Sequence, residues 1–201
     1  MPRPVVSTGH CDPCEATLPP MFSPRSIRHC KVCGGATEYR IPADDNRDRA
    51  VCTACGTVNY ENPLNVVGTV PIWGEQVLLC RRNIEPRYGL WTLPAGFMEI
   101  GETTEEGAMR ETDEEAGARI ELQGLFTVLN VVRVGQLHLY YRARLLDIDF
   151  APGPETIEAQ LFTEAQIPWE ELAFRTVRET LKCYFADRLT GQYGVHCADI
   201  S

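Results

Sequence analysis

The amino-acid sequence predicts an α/β fold, preceded by a small metal-bound ribbon. Three observations carry that expectation. Several runs rich in Val, Leu, Tyr and Phe are interspersed with two helix-forming stretches. Two Cys-x-x-Cys pairs stand eighteen residues apart ahead of them. At 201 residues, 44% hydrophobic and 23% charged, the chain suits one soluble domain of usual size plus something small.

Residues 1–27 hold six prolines and no apolar periodicity, and are expected to form a mostly disordered tail. Cys11 and Cys14 form a Cys-x-x-Cys pair there, but no partner pair remains for them, so they read as incidental. Residues 28–61 read as a zinc ribbon. Cys30, Cys33, Cys52 and Cys55 have the spacing of a tetrathiolate Zn2+ site. Gly34-Gly35 and Gly56 follow the pairs, where tight knuckles turn backbone N–H groups towards sulfur. Too few apolar residues lie between the pairs to build a core, so metal binding has to supply the fold. Four cysteines close the coordination sphere, which makes the site structural rather than catalytic. His10 and His29 read as bystanders. Nine cysteines in all, an odd number with three Cys-x-x-Cys pairs, do not resemble a secreted disulfide framework.

Residues 62–201 are expected to form the main domain. Residues 66–73 and 76–82 read as strands joined by a turn at Gly74-Glu75. Residues 103–116 read as a helix, with Met109, Thr112 and Ala116 on the side that packs on the sheet and Thr104, Gly107 and Ala108 on the acidic side. Strands follow at 119–122, 124–133 and 137–146, with a hairpin turn at Gly135-Gln136. A loop, Pro152-Gly153-Pro154-Glu155-Thr156-Ile157-Glu158, leads to a short strand at 159–162. Short helical pieces at 163–166 and 170–174 precede a longer amphipathic helix over 176–189.

Charge is concentrated in one place. Between Gly96 and Ala118 there are eight carboxylates and one basic residue, Arg110, which leaves only about −2 of the total −9 for everything else. Glu111 and Glu115 lie almost above one another on the helix, with Glu114 beside them. Such neighbours repel in a free helix, whereas a hard divalent cation turns the repulsion into attraction. Taken alone, an acidic helix reads as a solvated face with Glu106–Arg110 and Arg110–Glu114 pairs. The full pattern points elsewhere: Gly96, five residues, Glu102, seven residues, Arg110-Glu111, two residues, Glu114-Glu115, one residue, Gly117.

That pattern resembles a Nudix box, the loop–helix–loop signature of hydrolases that split nucleoside diphosphates linked to another group. Thr112 and Ala118 depart slightly from the usual apolar positions, and Ala95 replaces the first glycine of the preceding Leu-Pro-Gly-Gly. The resemblance implies an α/β/α sandwich with a mixed sheet and a Mg2+ or Mn2+ site. Glu111 and Glu115 are then the main ligands, with Glu114 a third ligand or water activator and the Ala95 carbonyl completing the set. Glu102 ligates through water or stabilises the loop, and Arg110 orients the glutamates. Relatives recruit one more carboxylate from a distant loop, here Glu158 or Glu155. Arg81, Arg82 and Arg87 are the basic candidates for the substrate phosphates.

The run Ser-Gln-Pro-Trp-Pro-Phe-Pro, typical of NADH pyrophosphatases with a zinc ribbon, is absent. The stretches Trp91–Glu99, Phe150–Glu155 and Ile167-Pro168-Trp169 are instead similar to the group containing the plant chloroplast FAD and ADP-ribose pyrophosphatase and its bacterial relatives. The implied reaction is FAD to FMN and AMP, or ADP-ribose to AMP and ribose 5-phosphate. An NADH or RNA-cap pyrophosphohydrolase is the alternative, and a non-catalytic nucleotide sensor a further one. An acidic chain without a basic stripe argues against general nucleic-acid binding. No apolar run spans a bilayer, and no secretory h-region opens the chain. A cytoplasmic protein is therefore expected, and the resemblance adds a homodimer.

Overall fold

The protein is described from a computed structural model, over residues 27–200. The expected tail, with Cys11 and Cys14, lies outside the described residues apart from Ile27. The chain divides after Tyr60 into two compact units.

The first unit is a three-stranded antiparallel sheet, β1 (Thr37–Arg40), β2 (Arg49–Cys52) and β3 (Val58–Asn59), in that order. Its interior is small: Ala50 and Val51 are buried together with Cys30 and Cys52. Asn59 takes the place of an apolar plug. Its Oδ1 accepts from Lys31 N–H at 3.0 Å and its Nδ2 donates to Ala50 C=O at 3.2 Å, tying the first knuckle to the sheet.

The second unit contains β4 (Leu64–Trp73), β5 (Gln76–Arg82), β6 (Trp91–Thr92), β7 (Ala95–Phe97), α1 (Thr104–Ala116), β8 (Ile120–Val131), β9 (Gln136–Leu145), β10 (Thr156–Phe162), α2 (Arg175–Thr190) and β11 (His196–Asp199). The main sheet runs β10-β5-β4-β9-β8-β11, with β6 on β5 and β7 on β4. β4 is parallel to β9 and β11 to β8, and the other pairs are antiparallel, so the sheet is mixed. Alternation of side chains across the pleat assigns successive residues to opposite faces. Val70, Val77, Leu79, Phe126 and Tyr140 meet Val177, Leu181, Tyr184 and Phe185 of α2. Their neighbours Val67, Leu78, Cys80, Tyr141 and Leu145 face Ala108, Ala116 and Ala118, on or just after α1. One helix thus covers each face, as expected of the α/β/α sandwich. β4 is buried along most of its length for this reason. Its Pro71 falls between the stretch paired with β7 and the stretch paired with β5, where its missing N–H leaves no ladder bond unmade.

α1 begins with a reciprocal cap: Thr103 Oγ1 accepts from Glu106 N–H and the Glu106 carboxylate accepts from Thr103 N–H. Glu106 is thereby engaged with Thr103 instead of Arg110. The helix closes on Gly117, whose φ of 59° suits glycine. Thr112 and Ala116 face the sheet as expected, but Met109 is exposed, while Gly107 and Ala108 are buried. Close approach explains the change. A Cβ at Gly107 would come within 2.8 Å of Val67 Cγ2, so the helix presents its smallest residues to β4 and a methionine does not fit. Thr112 sits where an aliphatic residue is usual because Thr69 of β4 faces it, the hydroxyls 2.7 Å apart.

The other differences are local. The strands expected at 119–122 and 124–133 are one long β8, kept continuous through register shifts on either side of Gly124 (φ 113°). β10 starts at Thr156, three residues early. β11 had no sequence signal, being four residues long and recruited by the edge of β8.

Candidate active site

β7 and α1 bring the acidic residues together. In the β4–β7 ladder, Thr69 N–H donates to Pro94 C=O and Met98 N–H to Asn65 C=O. Antiparallel pairing alternates, so the backbone groups of Ala95 and Phe97 point away from β4. They meet α1 instead: Ala95 N–H donates to Glu115 Oε2 at 3.1 Å, and Phe97 C=O accepts from Arg110 Nη2 at 3.2 Å. The Ala95 carbonyl shares the direction of its N–H. Gly96, between them, lies so close to the helix that a Cβ there would fall 2.3–2.4 Å from the Glu111 carboxylate atoms. The methyl of Ala95 is accommodated because β4 carries Gly68 opposite, where a Cβ would come within 2.3 Å of it.

Arg110 uses every N–H of its guanidinium. Nε and Nη2 hold Glu102 in a fork at 3.0 and 2.8 Å, Nη1 donates to Glu111 at 2.7 Å and Glu114 at 3.0 Å, and Nη2 also reaches Phe97 C=O. Glu102 accepts a further bond from Glu99 N–H. Hydrogen bonds from Arg110, then from Glu99 N–H, hold its carboxyl down at about 2. Glu115 is the opposite case. Burial pushes it up to about 8, the negative charges of Glu111 and Glu155 add to the rise, and Ala95 N–H and Arg82 oppose it. Glu111 is also raised by burial, against the pull of Arg110. Glu114 is the most exposed of the three, its side chain 58% accessible and bonded to Arg110.

The remaining candidates separate. Arg81 and Arg82 are adjacent in β5 and face opposite ways. Arg81 is half-exposed, donates to Gly89 C=O at 2.8 Å and stands 4.0 Å from Glu158. Arg82 turns inward, donates to Pro86 C=O and lies 5.1 Å over the Phe174 ring. It is thereby largely buried, and its charge reaches Glu115. Arg87 is exposed, in a loop, with φ 70°. Of the two downstream carboxylates, Glu158 is engaged with Arg81, whereas Glu155 is the one whose field raises both Glu111 and Glu115. Sequence reasoning passed over Asn83 and Thr69; neither lies in a pattern that spacing alone singles out.

The donor chemistry differs between the two units: Glu111, Glu115 and the Ala95 carbonyl are hard oxygen donors, of the kind that Mg2+ and Mn2+ take. In the ribbon, the Cys33–Cys52 and Cys33–Cys55 sulfurs are 3.4 Å apart and Cys30–Cys55 3.8 Å, and all four lie within 4.8 Å of one another. A tetrahedron of Zn–S bonds about 2.3 Å long requires S–S separations of about 3.8 Å. Val32 and Cys55 N–H point at the Cys30 and Cys52 sulfurs, each at 3.4 Å. Gly34 and Gly56, both at φ 73°, make the knuckle turns.

Comparisons with known proteins bear on the family and the fold. Residues 28–61 match the zinc-ribbon Nudix N-terminal family and residues 63–182 match the NUDIX domain family. A crystal structure of a NUDIX hydrolase from Nitrosomonas europaea is 46% identical, covers 87% of this chain and 99% of its own, and superposes with a TM-score of 0.83. The NAD-capped RNA hydrolase NudC of Vibrio parahaemolyticus is 32% identical over 97 residues, 48% of this chain and 35% of that protein. An ADP-ribose pyrophosphatase of Methanocaldococcus jannaschii is 31% identical over 119 residues, 57% of this chain and 69% of that protein. The chain thus spans about a third of the length of the first of these curated relatives.

Proposed function

The chain belongs to the Nudix hydrolase family, and from that premise we propose that it hydrolyses the pyrophosphate bond of a nucleoside diphosphate linked to another group, with Mg2+ or Mn2+ as cofactor. The observation that carries this reading is the Glu115 carboxylate, buried and bonded to Ala95 N–H, with Glu111 lying against Gly96. Glu115 is buried and Glu111 half-buried, and burial raises both carboxyls, an environment that suits a site receiving a dication.

Glu111 and Glu115 would hold the cation with the Ala95 carbonyl, and Glu155 would join them in preference to Glu158. When bound, the cation supplies Lewis-acid polarisation of the phosphate oxygens and a template for in-line attack. Glu114, exposed and bonded to Arg110, takes the proton of the attacking water or completes the ligand set. Arg110, anchored on Glu102 and Phe97 C=O, fixes the rotamers of Glu111 and Glu114. Arg81 and Arg87 remain the basic groups that neutralise the substrate phosphates. The ribbon holds Zn2+ structurally.

FAD and ADP-ribose are the proposed substrates. ADP-ribose gains support from the activity named for the M. jannaschii relative, and FAD rests on the stretches around Trp91, Phe150 and Ile167. NAD-capped RNA is the second reading, favoured by the name of the NudC relatives and opposed by a net charge of −9. No helix among the described residues is long and apolar enough to cross a membrane. We place the enzyme in the cytoplasm, as a homodimer, with residues 28–61 and 62–201 as its two domains. The test is to incubate the protein with Mg2+ and, separately, FAD, ADP-ribose, NADH and NAD-capped RNA, following products by chromatography, with Glu115→Gln as the blank. Release of FMN and AMP, or of AMP and ribose 5-phosphate, lost in the variant, is expected. Preference for NADH or capped RNA would keep the chemistry and overturn the substrate. Nucleotide binding without turnover would make the protein a sensor.

A further inference from the structure

Residues 151–155, between β9 and β10, are held from two sides. On the inner side, Gly153 N–H donates to the Glu115 carbonyl at 3.0 Å, one of the last-turn acceptors that α1 cannot satisfy itself. The approach is so close that a Cβ at Gly153 would fall 1.8 Å from the Glu114 carbonyl oxygen, and one at Gly117 would fall 2.7 Å from that of Ala151. On the outer side stands Asn83, directly after β5. Its backbone N–H donates to Glu155 C=O at 2.8 Å and its Nδ2 to Pro154 C=O at 3.0 Å. Thr156 N–H closes the turn on Gly153 C=O at 3.1 Å, and two prolines restrict the backbone further.

The anchoring has a physical purpose. Glu155 carries a negative charge into the neighbourhood of Glu111 and Glu115, so without a cation the electrostatics push this loop outward. Contacts that do not depend on charge keep it in place whether or not a cation is bound. Asn83 and Gly153 supply such contacts, through neutral donors on main-chain carbonyls. We propose that Asn83 is a positioning residue which, working against Gly153, holds Glu155 at the divalent-cation site formed by Glu111 and Glu115. This inference rests on the metal-dependent reading given above.

The test is Mn2+ affinity, read from the electron paramagnetic resonance signal of free Mn2+, for the wild type, Asn83→Ala, Glu155→Gln and the double variant, with ribbon zinc retained. A single hydrogen bond of ordinary net strength sets the expected loss for Asn83→Ala at about two- to tenfold. Glu155→Gln is expected to weaken Mn2+ at least as much, and the double variant to match Glu155→Gln alone. Asn83→Leu, of similar size without a donor, should match the alanine variant, and both should unfold within about 5 °C of the wild type when Mg2+ and Mn2+ are absent. Wild-type affinity in Asn83→Ala, or losses that add in the double variant, would overturn the proposal. Wild-type affinity in Glu155→Gln would remove Glu155 from the site, and this proposal with it, while leaving the hydrolase reading intact. A wild-type protein that binds no Mn2+ would sink the hydrolase reading itself.

Discussion

Replacing Glu115 with glutamine should abolish hydrolysis and at the same time stabilise the metal-free protein in alkaline solution. In an unfolded chain the group ionises near 4.5, whereas burial carries it to about 8 in the folded protein. Below the lower value both states are protonated and pH has no effect through this group. Between the two values the unfolded chain releases its proton while the folded chain keeps it, so stability falls as pH rises, and above the higher value the loss is complete. At about 1.4 kcal/mol per pH unit the full loss is at most about 4–5 kcal/mol. For a chain of this size that corresponds to a fall in Tm on the order of 10 °C. Glutamine keeps an oxygen for Ala95 N–H and cannot ionise. The assay is thermal unfolding by circular dichroism from pH 5 to pH 9, in protein dialysed free of Mg2+ and Mn2+ with ribbon zinc retained. Wild type and variant should lie closest at pH 5 and diverge by pH 8, the variant unfolding several degrees higher. Glu111, also raised by burial, leaves the variant a residual slope. Added Mg2+ should restore the wild type and leave the variant unchanged. Equal pH slopes in the two proteins would refute the reasoning that burial governs Glu115.

Arg110→Lys keeps the charge and loses the five-way fork, so Glu102, Glu111 and Glu114 lose their common anchor. Activity should fall about tenfold or more, and the Mg2+ concentration for half-maximal rate should rise. Gly96→Ala puts a methyl into the Glu111 carboxylate; kcat should fall by at least about a hundredfold for a displacement near 1 Å, checked by steady-state kinetics. Cys52→Ser removes one ligand of the tetrathiolate set, and bound zinc, measured colorimetrically after thiol release, should drop from one per chain towards zero. Leu181→Ala, fully buried between α2 and the sheet, should cost about 2–5 kcal/mol in urea unfolding with little change in KM.

What the sequence determined by itself was the chemistry that depends on short spacing. Cys30 to Cys55 and Gly96 to Gly117 are local patterns, because a knuckle or a helix turn converts residue spacing directly into geometry. The span of α1 and the strand Gln76–Arg82 were legible for the same reason. The tertiary structure decided everything that depends on what lies opposite. Met109 is exposed and Gly107 buried because Val67 comes too close to the helix at Gly107 for a larger side chain. Arg82 is drawn inward by Pro86 and Phe174, and β11 exists because β8 offers it an edge. Glu155 approaches Glu111 and Glu115 across about forty residues of sequence, through a loop clamped by Asn83 and Gly153. Such contacts arise from packing between distant segments, and a periodicity read along one segment holds no information about its neighbours.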